Sequence, residues 1–144
     1  MRTESVSLDN VGFLLAKASQ RFNERLGERF AEAGFPQVRP AYGSVLMPLF
    51  EQDGLRIGEI GARSRLSKQS MTRLVAQCEA DGFVERQPDP DDARASRVVL
   101  TARGRRLRTV ARRVLGDLDD DIAAVLGRRQ LDALRRALKG VMDL

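Results

Sequence analysis

The residues of this chain best suited to chemistry are cationic or hydroxylated, and they cluster. In "LSKQSMTRLVAQCEADGF", Met71, Leu74, Val75 and Cys78 recur at i, i+3, i+4 and i+7, the signature of one apolar helix face. The opposite side then carries Lys68, Gln69, Thr72 and Arg73, with no carboxylate until Glu79. A helix lying in a DNA major groove needs such a face, with hydrogen-bonding groups for base edges and cations for phosphates. Ser67 precedes it and can cap the helix by accepting a bond from a free backbone N–H. The helix N-terminus also offers its own N–H groups to phosphate. An ordinary solvated face would mix both signs of charge. Ser67, Lys68, Gln69, Thr72 and Arg73 are therefore the candidate DNA-contacting residues of this helix.

A second cluster lies in "QPDPDDARASRVVLTARGRR", where three aspartates precede a burst of arginines. "FVERQ" before it and "RVVL" within it are short β-prone runs, which predicts a hairpin with a long tip. Beside a major-groove helix, such a tip falls near the adjacent minor groove, whose negative potential attracts an arginine. An arginine on a mobile tip loses rotamer entropy when fixed. A neighbouring carboxylate can hold its guanidinium by a two-pronged hydrogen bond. Asp92 and Arg94 can form such a unit, with Pro88 and Pro90 stiffening the approach. A solvated turn with incidental charges explains the loop's composition equally well.

Other chemistry finds little footing. The chain has no histidine and one cysteine, Cys78, so a zinc site would rest on carboxylates alone and no disulfide can form within the chain. Cys78 lies on the apolar stripe, where a thiol usually serves as a small hydrophobe. The cluster "DLDDD", Asp117 to Asp121, lacks the glycine and terminal glutamate of a calcium loop and reads as a solvated helix face. There is no glycine-rich phosphate loop and no histidine-assisted nucleophile. An enzyme is not expected, nor a metal or cofactor.

The elements that must position these residues follow from periodicity. A helix from Asp9 to Ala33, about 37 Å long, buries Val11, Leu15, Ala18, Phe22, Leu26 and Phe30, and Gly34 and Pro36 end it. A shorter helix, Ala41 to Phe50, presents Tyr42, Val45, Leu46 and Leu49; Pro48 should kink or shorten it. Ile57 and Ile60 mark a third helix, "RSRL" a turn plugged by Leu66, and Ser67 to Ala80 the polar-faced helix above. After the hairpin, Thr101 caps a long helix bearing Leu107, Val110, Val114, Leu118, Ile122 and Val125. Gly127 breaks it, and a last helix carries Leu131, Leu134, Leu138 and Val141. The fold class is mainly α with a small β-hairpin wing: a winged helix-turn-helix plus a helical dimerisation region. Residues 1–40 form an N-terminal dimerisation helix, 41–100 the DNA-binding lobe, and 101–144 the C-terminal dimerisation helices of one intertwined domain.

Charge supports a polyanionic partner. Between Arg56 and Arg113 fourteen basic residues face seven acidic ones, a balance of +7, while the flanks sum to −2. A general bias toward arginine, which supplies 22 of the 25 basic residues, is the competing explanation. No apolar run approaches the roughly 18 residues of a membrane span, and "MRTESVSLDNVGF" has no apolar signal core. A cytoplasmic location without membrane contact is expected.

The stretch "IGEIGARSRLSKQSMTRLVAQCEADGFVERQPDPDDARASRVVLTARG" resembles the MarR family of bacterial transcription regulators. "DGFVER", the D-x-R of Asp92 and Arg94, and "LTARG" carry the resemblance, over Ile57 to Gly104. It implies a homodimer bound to double-stranded DNA, with first and last helices interlocked between subunits. The recognition helix is then Ser67 to Ala80, and Arg94 is the wing arginine steadied by Asp92. It also implies a repressor released by a small organic effector, often aromatic or anionic, bound between the dimer helices and the DNA-binding lobe; it assigns no effector-binding residues. Family members that sense oxidants use a cysteine near the N-terminus, and zinc sensors use histidines; this chain has neither. Gly61 stands where alanine is common, and Ala93 where an arginine often flanks the wing arginine, which should weaken the wing's grip. Two alternatives keep the fold: a transcriptional activator, and a dimeric adaptor that has lost DNA binding.

Overall fold

The structure, a computed structural model, describes residues 4–144, so the first three positions of the expected N-terminal region lie outside the described residues. Helix α1 (Val11–Glu32) begins where the Asn10 side chain accepts a hydrogen bond from the N–H of Phe13 at 2.9 Å. It ends through Gly34, at φ +94°. The N–H of Gly34 bonds to Ala31 and that of Phe35 to Phe30, capping carbonyls the last turn leaves free. Phe30 and Phe35 are both buried there.

A 3-10 turn, Pro40–Tyr42, leads into α2 (Gly43–Glu51), so the helix expected from Ala41 starts tighter and later. Pro48 stands inside α2 and is buried. Having no N–H, it deprives the Ser44 carbonyl of its usual donor four residues on. The Ser64 hydroxyl donates to that carbonyl at 2.5 Å instead. A defect in one helix thus becomes a tie to the next.

Strand β1 (Leu55–Arg56) runs straight into α3 (Ile57–Ser64) and, after a turn, α4 (Lys68–Ala80). Leu66 does not plug the turn: it is 36% exposed. Backbone closes the turn instead, because the Leu66 N–H bonds the Gly61 carbonyl at 3.0 Å. A Cβ on Gly61 would sit 3.1 Å from the Leu66 carbonyl oxygen, so the bare glycine relieves crowding there. Arg65 takes the left-handed conformation (φ 54°), and its guanidinium donates to the Met142 carbonyl and, at 2.6 Å, to Asp143. Helix α4 ends as α1 does: Gly82 at φ +82° bonds Glu79, and Phe83 bonds Cys78.

Strands β2 (Val84–Asp89) and β3 (Asp92–Leu100) pair antiparallel, and β1 joins β3 to give a three-stranded sheet of order β1-β3-β2. The long hairpin tip expected from sequence is instead a tight turn at Pro90 and Asp91, because β3 begins earlier than "RVVL" and Asp92 pairs with Asp89. A two-residue strand such as β1 is too short to show alternation, which hides it in the sequence.

Helix α5 (Ala102–Leu126) is capped by Thr101, whose hydroxyl accepts from the Gly104 N–H at 3.0 Å and donates to the Gly82 carbonyl at 2.6 Å. A Cβ on Gly104 would overlap the Phe83 carbonyl oxygen, so only glycine lets α5 start against the end of α4. Helix α6 (Arg128–Met142) folds back on α5. The acidic run reads as a solvated face in sequence, yet three of its members hold arginines. Asp119 pairs with Arg135 at 2.7 Å, Asp120 with Arg128 at 2.8 Å and Asp121 with Arg29 at 2.8 Å. These exposed pairs steer helix placement more than they stabilise it.

Candidate nucleic-acid interface

The interface begins with how α4 is held. The Ser67 hydroxyl accepts from the Ser70 N–H at 3.1 Å and fixes the first turn. Met71, Val75 and Cys78 are 0% exposed, and Leu74 is half-buried beside them. At roughly 100° per residue that stripe occupies one side of the helix, leaving Lys68, Gln69, Thr72 and Arg73 within an arc of about 140° on the other. All four are exposed, as is Ser67. The Thr72 hydroxyl donates to the Lys68 carbonyl at 2.8 Å, keeping its lone pairs outward. Among the described residues neither Lys68 nor Arg73 is committed to a carboxylate. The structure therefore brings Lys68, Gln69, Thr72 and Arg73 onto one exposed face, with Ser67 exposed at the helix N-cap.

Cys78 lies beneath that face. Burial, with a contribution from Asp81, pushes its thiol up to about 12, so it is neutral and unreactive at ordinary pH. At the end of the same helix the buried Tyr42 hydroxyl donates to Asp81 at 2.5 Å, and burial together with that bond raises the phenol to about 12. Helix α4 is thus anchored along its apolar side and at its C-terminal end.

The wing carries the remaining candidates. Arg94 is exposed and, among the described residues, in no ion pair; Asp92 is exposed beside it. Their contact differs from the two-pronged pairing expected: Asp92 Oδ1 accepts from the backbone N–H of Arg94 at 2.9 Å. That bond fixes the backbone and leaves the guanidinium free.

A carboxylate that sequence reading passed over lies deeper. Asp89 is 4% exposed, with its carboxylate fully enclosed. Arg56 Nε donates to it at 2.6 Å, the Asp91 N–H at 2.9 Å, and Arg97 Nε lies at 3.4 Å. The Asp91 bond and the two guanidinium groups hold its carboxyl below the usual carboxylate range against the opposing effect of burial. Alternation within β2 would not have found it, because Val84 and Asp89, its two buried ends, stand five residues apart and a period of two puts them on opposite faces.

Known proteins share this architecture. The model of the MarR family matches residues 40–96. An HTH-type transcriptional regulator of Mycobacterium bovis is 32% identical over 123 residues, 85% of this chain and 84% of that one. The HTH-type transcriptional regulator TtmR of Methylorubrum extorquens is 41% identical over 110 residues, 74% of this chain and 54% of that one. Among solved structures, the transcriptional repressor CouR bound to a 23-mer DNA duplex superposes with a TM-score of 0.80 at 24% identity, covering 96% of this chain and 99% of that one. The PcaV transcriptional regulator of Streptomyces coelicolor, in complex with its natural ligand, gives 0.81 at 20% identity, covering 98% of each. At these identities the structural likeness establishes the fold.

Proposed function

The chain belongs to the MarR family of DNA-binding transcriptional regulators, and from that premise we propose that it acts in the cytoplasm as a homodimeric repressor. Helices α1, α5 and α6 join the two subunits, and residues 41–100 form the DNA-binding lobe. The two α4 helices enter successive major grooves of a pseudo-palindromic operator, about 34 Å apart. Ser67, Lys68, Gln69, Thr72 and Arg73 meet bases and phosphates there, while Arg94, carried on a wing supported by Asp92, reaches the minor groove. A small organic effector, aromatic or anionic, releases the DNA.

The observation that carries this reading is the α4 face, where four exposed polar or cationic residues, with Ser67 exposed at the N-cap, lie opposite a stripe of buried and half-buried apolar residues without an intervening carboxylate. A dimer is supported by Val11, Leu14, Leu134, Leu138 and Val141, which keep large apolar surfaces exposed in the single chain. The repressor CouR on DNA and PcaV with its ligand support the finer roles by likeness of fold.

Fluorescence anisotropy with the DNA upstream of the protein's own coding region, across a salt series, tests the reading. Binding should be tight and fall steeply with salt. Arg94→Ala should weaken it by about 1–3 kcal/mol. No selected sequence from a random duplex pool would sink the DNA-binding proposal and favour the adaptor.

A further inference from the structure

The wing arginine sits in a part of the hairpin that the sheet itself does not hold. Pro88 pairs with Ser96, yet the next residue of β2, Asp89, pairs with Asp92. Three residues of β3, Ala93, Arg94 and Ala95, therefore bulge between two successive pairs and have no partner on β2. The third strand offers no help, because β1 ends at Arg56, opposite Arg97. Beyond that point the wing is a lone two-stranded hairpin, an arrangement of marginal stability by itself.

Asp89 closes the bulge and ties it down. Its backbone pairs with Asp92, and one carboxylate oxygen takes the Asp91 N–H of the turn. The other takes Arg56 Nε. Arg56 is the residue from which α3 starts, so the carboxylate connects the wing tip to the helix-turn-helix. Arg97 completes the cluster, reaching Asp89 at 3.4 Å, Asp91 at 3.6 Å and the Gly54 carbonyl at 3.1 Å. A carboxylate with no exposed surface, held by donors from two segments and faced by a cation from a third, is fixed in direction. Asp92, by contrast, is exposed and fixes only the neighbouring N–H.

We propose that Asp89 is the positioning residue of the wing: it fixes the bulge of β3 relative to α3 and so aims Arg94 at the DNA. The proposal rests on the minor-groove role given to Arg94 above.

A double-mutant cycle on operator binding by the full-length protein tests it, with Asp89→Asn, Arg94→Ala and the pair together. Asp89→Asn should weaken binding about tenfold, and Arg94→Ala by at least as much. Once Arg94 is gone there is nothing left to aim, so adding Asp89→Asn should change affinity by less than about twofold. Full additivity would overturn the proposal, because general damage to the lobe weakens binding whether or not Arg94 is present. Wild-type affinity of Asp89→Asn would overturn it too. Wild-type affinity of Arg94→Ala would instead remove the wing from DNA recognition and take both readings down. If Asp89→Asn does not fold, Arg56→Gln replaces it, since Arg97 and the Asp91 N–H still hold the carboxylate. Its smaller loss, about threefold, should likewise vanish in the Arg94→Ala background, and persistence there would overturn the proposal.

Discussion

Helices α4 and α6 carry the same sequence signal and meet opposite fates. Met71, Val75 and Cys78 on α4 are 0% exposed, sealed by α2, α3 and the sheet. Leu131 on α6 is buried against α5, but Leu134, Leu138 and Val141 remain 38–40% exposed. Helix α1 repeats the contrast along its length, with Phe30 buried and Val11 at 65%. Periodicity reports which residues favour burial; it does not report whether their own chain can supply the cover. The core that runs from Phe30 to Leu118 is closed within the chain, whereas α6 and the start of α1 keep apolar surface exposed, which the proposed dimer would cover.

The contrast can be broken most forcefully on α6. Replacing Leu134 and Leu138 together by aspartate should cost the dimer on the order of 4 kcal/mol, by loss of two apolar contacts and introduction of charge. Sedimentation should then show monomers that keep a helical spectrum, with operator affinity lost alongside. A double variant that stays dimeric would place the subunit contact elsewhere. In the closed core, Gly104→Ala should destabilise the folded chain by about 3 kcal/mol, since the added methyl meets the fixed Phe83 carbonyl. Urea titration measures it, and a loss below about 1 kcal/mol would mean that α5 can shift freely against α4. The smallest effect sharpens how tightly α4 is tethered. Tyr42→Phe should cost roughly 1–2 kcal/mol at neutral pH by removing the bond to Asp81. The folded phenol is raised above its ordinary value of 10.0, to about 12. Folding therefore favours the protonated form, so the contribution is full below pH 10 and fades as pH rises toward 12. A difference between Tyr42→Phe and wild type that stays constant from pH 8 to 12 would contradict this.

Much of the fold is legible in the sequence because helix faces and caps are local. Ser67 and Thr101 announce helix starts, Gly34 announces an end, and the polar arc of α4 follows once its apolar stripe is recognised. What the sequence conceals depends on partners far along the chain. Strand β1 exists only because β3 arrives beside it. Asp89 looks like one of several loop aspartates until Arg56, 33 residues earlier, is found against it. The acidic run on α5 takes its meaning from arginines on α1 and α6. Leu66 was expected in the core because it is apolar, yet the turn around it is closed by backbone bonds that any side chain would permit.

The bond between Ser64 and the Ser44 carbonyl also constrains how this chain can change over generations. While Pro48 stands in α2, the Ser64 hydroxyl is the donor that replaces the missing N–H, and losing it first leaves a part-buried carbonyl stranded. If Pro48 gives way first to a residue with an N–H, the helix recovers its own donor and Ser64 becomes dispensable. The same two substitutions are therefore harmful in one order and tolerable in the other, so descendants that lack the serine should lack the proline as well.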